Sequence, residues 1–318
     1  MARILLTGAS SFTGLWIAEA LAAGGHEVTA PVRRGRHDYS GLRAQRLNRA
    51  GRSAELVYDA PFGSPAFLDL VAGGRFDLLA HHAADIPGYR SPDYDPVAGM
   101  ARNAEGARPV FRAFAQAGGR AVIATGTAFE AGEGGEGPAA LAVSPYGLSK
   151  SLTNQAFQHY AAWEGLGFGK FVITNPFGRL EEGRMAWSLF QAWFAGRPGE
   201  VRTPAYVRDN IPVPLLAKAY ALLAHELLAA EAASLTARPS GIVGTQGAFA
   251  QRLAAEARPR LGLPCVVEEW EQTAFPEPVS RVNSEPAADA AWDDQAFWDD
   301  YLDYYAGLAG TGLLDAPA

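Results

Sequence analysis

The chain has 318 residues and a formal net charge of −7, with a pI near 5.4. That length suits one large domain or a domain with a lobe, and the acidic balance argues against a nucleic-acid surface, which needs a basic patch. A single cysteine, Cys265, excludes an intrachain disulfide and any cysteine-cluster metal site. No stretch approaches the ~18 apolar residues of a membrane span, and the start "MARILLTGASS" lacks the apolar core of a signal peptide. The expectation is a cytoplasmic protein with no membrane and no nucleic-acid partner.

In chain order, "RILLTG" reads as an apolar strand ended by glycine. "LWIAEALAAGGHEV" carries helical spacing at Leu15, Ile17, Ala18 and Leu21 and stops at Gly24-Gly25. "EVTAPVRR" is the next strand, which makes β-α-β within about 35 residues, the mark of a parallel sheet. The alternation continues through the strand "AELVYD", the helix "SPAFLDLVAGG", the strand "FDLLAHHAA", a longer helix "DPVAGMARNAEGARPVFRAFAQAGG" and the strand "RAVIATGT". A helix beginning at "SPYGLSK" and the strand "KFVITNPFG" continue the series of strand-like units with intervening helices, which indicates a doubly wound sheet.

After Gly178 the rhythm changes. "RMAWSLFQAWFAG" is helical, and "VRDNIPVPLLAKAYALLAHELLAA" is a strand-like start followed by a long helix. "SGIVGTQGAFAQRLAAEARPRLG" gives another strand and helix, "PCVVEEWEQ" a small strand, and "DDQAFWDDYLDYYAGLA" an acidic, aromatic terminal helix. The expected division is 1–178 for a dinucleotide-binding domain and 179–318 for a smaller substrate lobe, with some elements returning to the main sheet. Trp292, Trp298, Tyr301, Tyr304 and Tyr305 on the terminal helix read as tertiary packing or a dimer contact. The Gly-rich 130–142 segment reads as a loop, with a lid and an uninvolved surface loop as its two interpretations.

Three local patterns carry chemistry. In "TGASSFTG", Gly8 permits a tight turn, Gly14 permits close helix–strand packing, and the helix start offers free N–H groups to a pyrophosphate. In "VSPYGLSK", Ser144 can cap a helix and Pro145 suits its first position. Tyr146 and Lys150 then share a face, and a cation beside a phenol favours the phenolate. Alone, this spacing is equally that of an amphipathic helix with a core tyrosine and a surface lysine. The adjacent His81 and His82 point to opposite faces of a strand and have no third ligand at suitable spacing, so no metal is expected.

The ordered series "TGASSFTG", "VYDA", "HHAA", "NAEGA", "ATGT", "YGLSK", "NPFGR" and "VRDNIPV" resembles the extended short-chain dehydrogenase/reductases, the group of nucleotide-sugar epimerases, dehydratases and reductases. The resemblance spans nearly the whole chain and implies an α/β fold: a Rossmann-like doubly wound parallel sheet with a smaller C-terminal lobe. It implies that Thr7, Gly8, Ser10, Ser11, Phe12, Thr13 and Gly14 form the cofactor turn. Asp59 is implied near adenine, with His81, Ala83, Ala84, Asn175, Pro176 and Phe177 beside the cofactor. Tyr146 becomes the general acid/base and Lys150 its partner, which also holds the nicotinamide ribose. Thr127 would hydrogen-bond the same substrate oxygen. Asn175, Arg208 and Arg281 would contact substrate, the two arginines clamping a diphosphate.

Departures from the family pattern are Ser11 in place of the middle glycine, the missing proline after "NPFG", and Pro212 where histidine is usual. Ala128 and Phe129 follow Thr127 where 4,6-dehydratases carry an acidic pair, which disfavours dehydration. At the end of the second strand, Val32 replaces the acid of NAD-preferring relatives, and Arg33 and Arg34 follow. A guanidinium suits a 2′-phosphate, so NADP(H) is the preferred cofactor and NAD(H) the alternative. The expected activity is an NADP-dependent 4-ketoreductase of a 4-keto-6-deoxy nucleotide-diphosphate sugar, acting as a homodimer. A 4-epimerase with retained NAD and a non-catalytic dinucleotide sensor are the alternatives; a sensor has no need of the proton donor.

Overall fold

The computed structural model describes residues 1–85, 87–89, 91–135, 141–181, 183–230, 233–287 and 289–311. In chain order come β1 Arg3–Thr7, α1 Phe12–Ala23, β2 Glu27–Pro31, α2 Gly41–Ala50, β3 Glu55–Val57, α3 Pro65–Gly74, β4 Leu78–His81, α4 Pro96–Ala104, α5 Ala107–Gln116, β5 Ala121–Thr127, α6 Pro145–Trp163 and β6 Gly167–Ile173. Then follow β7 Asn175–Phe177, α7 Met185–Phe194, β8 Gly199–Val201, β9 Val207–Pro212, α8 Val213–Ala229, β10 Ser234–Ala237, β11 Pro239–Ser240, β12 Ile242–Thr245, α9 Gln246–Leu261, β13 Val267–Glu269, β14 Ser280–Arg281, β15 Glu285–Pro286 and α10 Asp294–Leu308. The chain divides into two compact units, 1–173 with 216–239, and 174–215 with 240–318.

In the first unit, seven strands form one sheet in the order β10-β6-β5-β4-β1-β2-β3 among the described residues, each pair parallel. The chain runs outward from β1 to β3, then returns to the other side of β1 with β4. The switch point therefore lies between β1 and β4, and in a parallel sheet all C-terminal strand ends share one edge. This is the doubly wound sheet the alternation predicts. Its central strands are apolar because helices cover both faces: β4 and β5 are buried along their whole length. Phe67, Phe111, Phe114 and Phe157 pack against Leu79 and Val122 in one continuous core.

The sequence reading differs from the structure in four places. The long helix expected after residue 95 is two, α4 and α5, because Gly106 adopts a left-handed φ of 73° between them. A Cβ at Gly106 would come within 2.7 Å of the Gly63 Cα, so backbone contact at that point requires glycine. α2 is too polar and Arg-rich for its periodicity to stand out. The seventh strand of the main sheet is β10, "SLTA", a half-exposed edge strand that follows α8. "KFVITNPFG" is not one strand: β6 ends at Ile173, and β7 pairs with β9 in the second unit, which moves the division from 178 to 173.

In the second unit, β9 pairs antiparallel with β12 and parallel with both β14 and β7, while β13 pairs with β8. Its core is aromatic. Phe177 packs against Phe249, Phe297, Trp298 and Tyr301, and Tyr305 stacks on Phe190 at 3.6 Å between ring centres. The terminal-helix aromatics Trp298, Tyr301 and Tyr305 are thus packing residues. Inside this core Glu181 accepts hydrogen bonds from the hydroxyls of Tyr301 and Tyr305, the latter at 2.6 Å. Burial raises its carboxyl from 4.5 to about 7, opposed by the two tyrosine hydrogen bonds and by Arg184.

A carboxyl raised on folding stabilises the fold below its unfolded pKa, and that stability is lost as pH rises through the folded value. The window here runs from about 4.5 to about 7, and the span corresponds to on the order of 3 kcal/mol. Glu181→Gln keeps an acceptor oxygen for both tyrosines and removes the titration. Urea unfolding from pH 4.5 to 8 should show a weaker decline of stability with pH in this variant than in the wild type. Parallel pH curves would contradict this account of Glu181.

Candidate active site

Thr7, the last residue of β1, stands opposite His81 in the register of β1 and β4. Its Oγ1 accepts the N–H groups of His82 at 3.1 Å and Ala83 at 3.0 Å, and lies 3.2 Å from His81 Nδ1. A hydroxyl that accepts twice donates its one proton to the third partner, so His81 presents an unprotonated Nδ1. The His81 ring packs between Phe62 and Phe157, at 4.3 and 5.1 Å, on the core side. Burial first, then Lys150 and His82, push its pKa down to about 3, so it stays neutral. Asn103 of the "NAEGA" motif locks the same strand end: Oδ1 accepts the Asp85 N–H at 2.7 Å, and Nδ2 donates to the carbonyls of Asp85 and Gly99.

Gly8 follows with a left-handed φ of 86°, and a Cβ there would sit 2.9 Å from the Ala83 nitrogen. A Cβ at Gly14 would lie 2.1 Å from the Gly8 carbonyl oxygen. Both glycines are therefore required by close backbone approach at the switch point. Ser11 caps α1, its Oγ accepting the Gly14 N–H at 3.0 Å, and Phe12 is buried. Thr13, half-buried, meets His82 Nε2 at 2.8 Å. The N–H groups of Phe12 and Thr13 lie in the first helical turn, where the helix supplies no carbonyl partner. A bare glycine turn feeding the positive end of α1 fits a dinucleotide pyrophosphate.

β5 delivers Thr127 to the same edge, 7% exposed. Ser144 caps α6 by accepting the Gly147 N–H at 3.1 Å, and Pro145 takes the first helical position, as the sequence pattern predicts. A Cβ at Gly147 would be 2.1 Å from the Phe129 carbonyl oxygen, so the start of α6 presses directly on the segment after Thr127. Tyr146 is half-buried, its ring 5.1 Å from Tyr89 and 6.2 Å from Phe129. Lys150, four residues on, is buried; burial lowers its ammonium pKa, Glu130 raises it and Lys170 lowers it. His82 joins the strands here, its Nδ1 2.9 Å from Thr125 Oγ1, and burial with Lys150 pushes it down to about 3.

The remaining expected residues separate. Val32 is buried, while Arg33 and Arg34 are exposed beyond the end of β2, and Arg33 Nη1 lies 3.3 Å from Asp85. Asp59, exposed after β3, adopts a left-handed φ of 58° and donates its N–H to the Arg34 carbonyl. Ser10, Ala83 and Ala84 stay at the strand-end edge of the first unit. Asn175, Pro176 and Phe177 form β7 in the second unit, where the Phe177 ring is core. There Arg281 stands in register with Arg208 on paired strands, and both reach Glu277 Oε2, at 3.3 and 3.2 Å. Arg208 also donates to the carbonyls of Val207 and Val279 and lies 4.2 Å over the Tyr206 ring. Burial, then Arg208, lowers Arg281 to about 10, against Glu277 and Tyr206, which raise it.

Residues 4–200 match the model of the NAD dependent epimerase/dehydratase family. The chain belongs to this family. No curated protein matches it significantly in sequence. Among solved structures of comparable fold is the UDP-glucose 4-epimerase of Stenotrophomonas maltophila with NAD and formylated UDP-arabinopyranose: 19% identity, 98% of this chain and 100% of that one, TM-score 0.73. The UDP-glucose 4-epimerase of Thermus thermophilus with NAD matches at 19% identity over 96% and 99% of the chains, TM-score 0.71. The dTDP-glucose 4,6-dehydratase of Streptomyces venezuelae, also with NAD, matches at 16% over 97% and 98%, TM-score 0.71. At these identities the likeness is one of fold.

Within this epimerase/dehydratase chain, sequence reasoning passed over three polar residues around Thr127 and Lys150, namely Glu130, Asn154 and Lys170, and weighed His82 only as a metal ligand. Lys170 carried a usable signal, since a lysine inside the apolar strand "GFGKFVI" demands a carboxylate. Glu130 was hidden at the head of the Gly-rich 130–142 segment, whose residues 136–140 lie outside the described residues. Among the described residues no group of three His, Cys, Asp or Glu could hold a metal ion, and no helix is long and apolar enough to cross a membrane.

Thr7→Val keeps the shape of the side chain and strips both N–H groups and His81 of their partner. The loss should be about 1–3 kcal/mol, measured by chemical denaturation, with Thr7→Ser close to wild type. Equal stability of Thr7→Val and wild type would contradict the role given to this hydroxyl.

Proposed function

We propose that the protein is an NADP(H)-dependent 4-ketoreductase acting on a 4-keto-6-deoxy nucleotide-diphosphate sugar, as a cytoplasmic homodimer. The observation that carries the reading is an apolar Val32 followed by exposed Arg33 and Arg34, in the unit that also carries Thr127, Tyr146 and Lys150. A carboxylate at the end of β2 would repel a 2′-phosphate; here two guanidiniums follow instead. The first turn of α1 and the Gly8 turn would hold the pyrophosphate, and Asp59 would meet the adenine. When bound, the nicotinamide supplies hydride to the carbonyl carbon.

The chain's own residues manage the oxygen. Thr127 and Tyr146 hydroxyls would hydrogen-bond the carbonyl, and Tyr146 would release its proton to the oxygen as negative charge develops there. Lys150, four residues along the same face of α6, supplies the positive charge that favours the phenolate left behind. Elimination of water is disfavoured. The positions after Thr127 are Ala128 and Phe129, and the nearest acid, Glu130, is engaged with the Thr127 N–H, Asn154 and Lys170. In the second unit, the in-register Arg208 and Arg281 suit a diphosphate, which would replace the Glu277 carboxylate they share.

A second reading, a 4-epimerase that retains NAD, is favoured by the ion pair of Arg33 with Asp85, which engages one of the two arginines. Loss of 340 nm absorbance from NADPH with a panel of 4-keto-6-deoxy nucleotide sugars tests the first reading. Wild type should bind NADPH more tightly than NADH, and Arg34→Ala should weaken NADPH about tenfold to a hundredfold more than NADH. Equal affinity for the two cofactors would favour the epimerase. Tyr146→Phe should lower turnover by roughly two or more orders of magnitude with cofactor binding intact; near-normal turnover would sink the assignment. Arg208→Ala should raise KM for the nucleotide sugar and leave the cofactor Kd unchanged, and the reverse pattern would remove Arg208 from the substrate site.

A further inference from the structure

Two carboxylates on the loop after β5, Glu130 and Glu133, gather three cations in the first unit: Lys170 and Arg238 by ion pairs, and Lys150 through its charge. Glu130 is 1% exposed. Its Oε1 accepts the backbone N–H of Thr127 at 2.8 Å and Asn154 Nδ2 at 2.9 Å, and its Oε2 lies 2.8 Å from Lys170 Nζ. Lys170 also reaches Glu133 at 3.0 Å, and Arg238 closes the chain against Glu133 at 2.7 Å. Room for the carboxylate is built in: a Cβ at Gly126 would lie 2.6 Å from Glu130 Oε1 and 3.0 Å from Lys170 Cε. The backbone N–H of Glu130 returns to the Thr127 carbonyl at 3.1 Å, so the two residues are tied twice.

The geometry connects this cluster to the proton-transfer residues. Tyr146, Lys150 and Asn154 recur every four residues on α6 and so share one face of the helix. Through Asn154 and the Thr127 amide, one carboxylate joins the end of β5 to that face. Its charge also acts on Lys150, raising an ammonium pKa that burial and Lys170 lower. The charge of Lys150 also lowers the pKa of His81 and of His82, after burial, and both are neutral. Glu130 is thus the negative charge that acts on Lys150, and Lys170 competes for it.

Composition points the same way. The chain carries only three lysines, Lys150, Lys170 and Lys218, among its 27 lysine and arginine residues, and two of the three are in this cluster. An arginine keeps its charge whatever surrounds it, whereas a buried lysine's charge responds to its neighbours.

We propose that Glu130 is a positioning residue for the proton-transfer set, fixing the Thr127 backbone against α6 and supplying the counter-charge that Lys150 shares with Lys170. The proposal rests on Tyr146 being the proton donor. Glu130 touches neither substrate nor cofactor; it acts through Thr127 and Lys150.

Three lysines make the test direct. Protein labelled with ¹³C at lysine Cε gives one resonance for each, and Lys150→Met assigns the relevant one. Glu130→Gln keeps an acceptor for the Thr127 N–H and deletes the charge, so the Lys150 midpoint should move at least about one pH unit lower. Lys170→Met frees Glu130 for Lys150, so the midpoint should move higher. Turnover of Glu130→Gln at neutral pH should fall about tenfold to a hundredfold with KM changed less than about threefold. An unchanged Lys150 midpoint in both variants, or shifts of the same sign, would overturn the proposal. If Glu130→Gln does not fold, Glu130→Asp decides instead: the shorter side chain withdraws the carboxylate, so the Lys150 midpoint should again move lower, and an unchanged midpoint would overturn the proposal. Normal turnover in Tyr146→Phe would defeat the reading of Tyr146, while the lysine titration would still decide whether Glu130 governs Lys150.

Discussion

A charged amine on a strand of a covered parallel sheet must be met by a carboxylate, and much of the candidate site follows from that requirement. Lys170 sits in β6 with Phe168, Gly169, Phe171 and Val172 buried around it. An unpaired ammonium there would be expensive to bury, and a pair is tolerated only when the remaining donors and acceptors are satisfied. Glu130 and Glu133 meet the charge, and the hydrogen bonds that complete Glu130 come from Thr127 and Asn154. Neutralising one lysine therefore fixes the end of β5, anchors α6, and sets the electrostatic surroundings of Lys150.

A second polar fastening closes the other side of the site. The Thr7 hydroxyl stitches β1 to the end of β4, and His82 continues the stitching to Thr13 on α1 and Thr125 on β5. Glycines at positions 8, 14 and 147 let backbones approach where side chains would collide. On the proposed reading, this edge offers the first turn of α1, with its N–H groups, to the cofactor and the hydroxyls of Tyr146 and Thr127 to one substrate oxygen. Such an arrangement suits a reaction in which charge appears on an oxygen and is met by groups already in place.

Much of this was legible in the sequence because it rests on local rules. Alternating strand and helix patterns gave the doubly wound sheet, and Ser144–Pro145 gave the start of α6, on which Tyr146 and Lys150 stand four apart. What was not legible depended on partners distant in the chain. Glu130 sits 40 residues before Lys170 in sequence, and nothing local says that the two meet. β10 is a short half-exposed edge strand, so neither hydrophobicity nor length marks it. Phe177 belongs to a motif that resembles a cofactor segment, yet its ring is spent on the aromatic core of the second unit. Arg281, the loosest expectation, gains its neighbour Arg208 through strand register, which only the fold supplies.

The central claim is that this edge of the sheet transfers hydride from an exchangeable NADPH to a sugar carbonyl. Isotope transfer tests it most directly. NADPH carrying deuterium at both C4 positions of the dihydronicotinamide would be incubated with a 4-keto-6-deoxy nucleotide sugar and the product examined by mass spectrometry and NMR. The account predicts one deuterium per product molecule at sugar C4, with free cofactor consumed in equal amount. Interconversion of sugar C4 stereoisomers with no deuterium gained from added cofactor would contradict it.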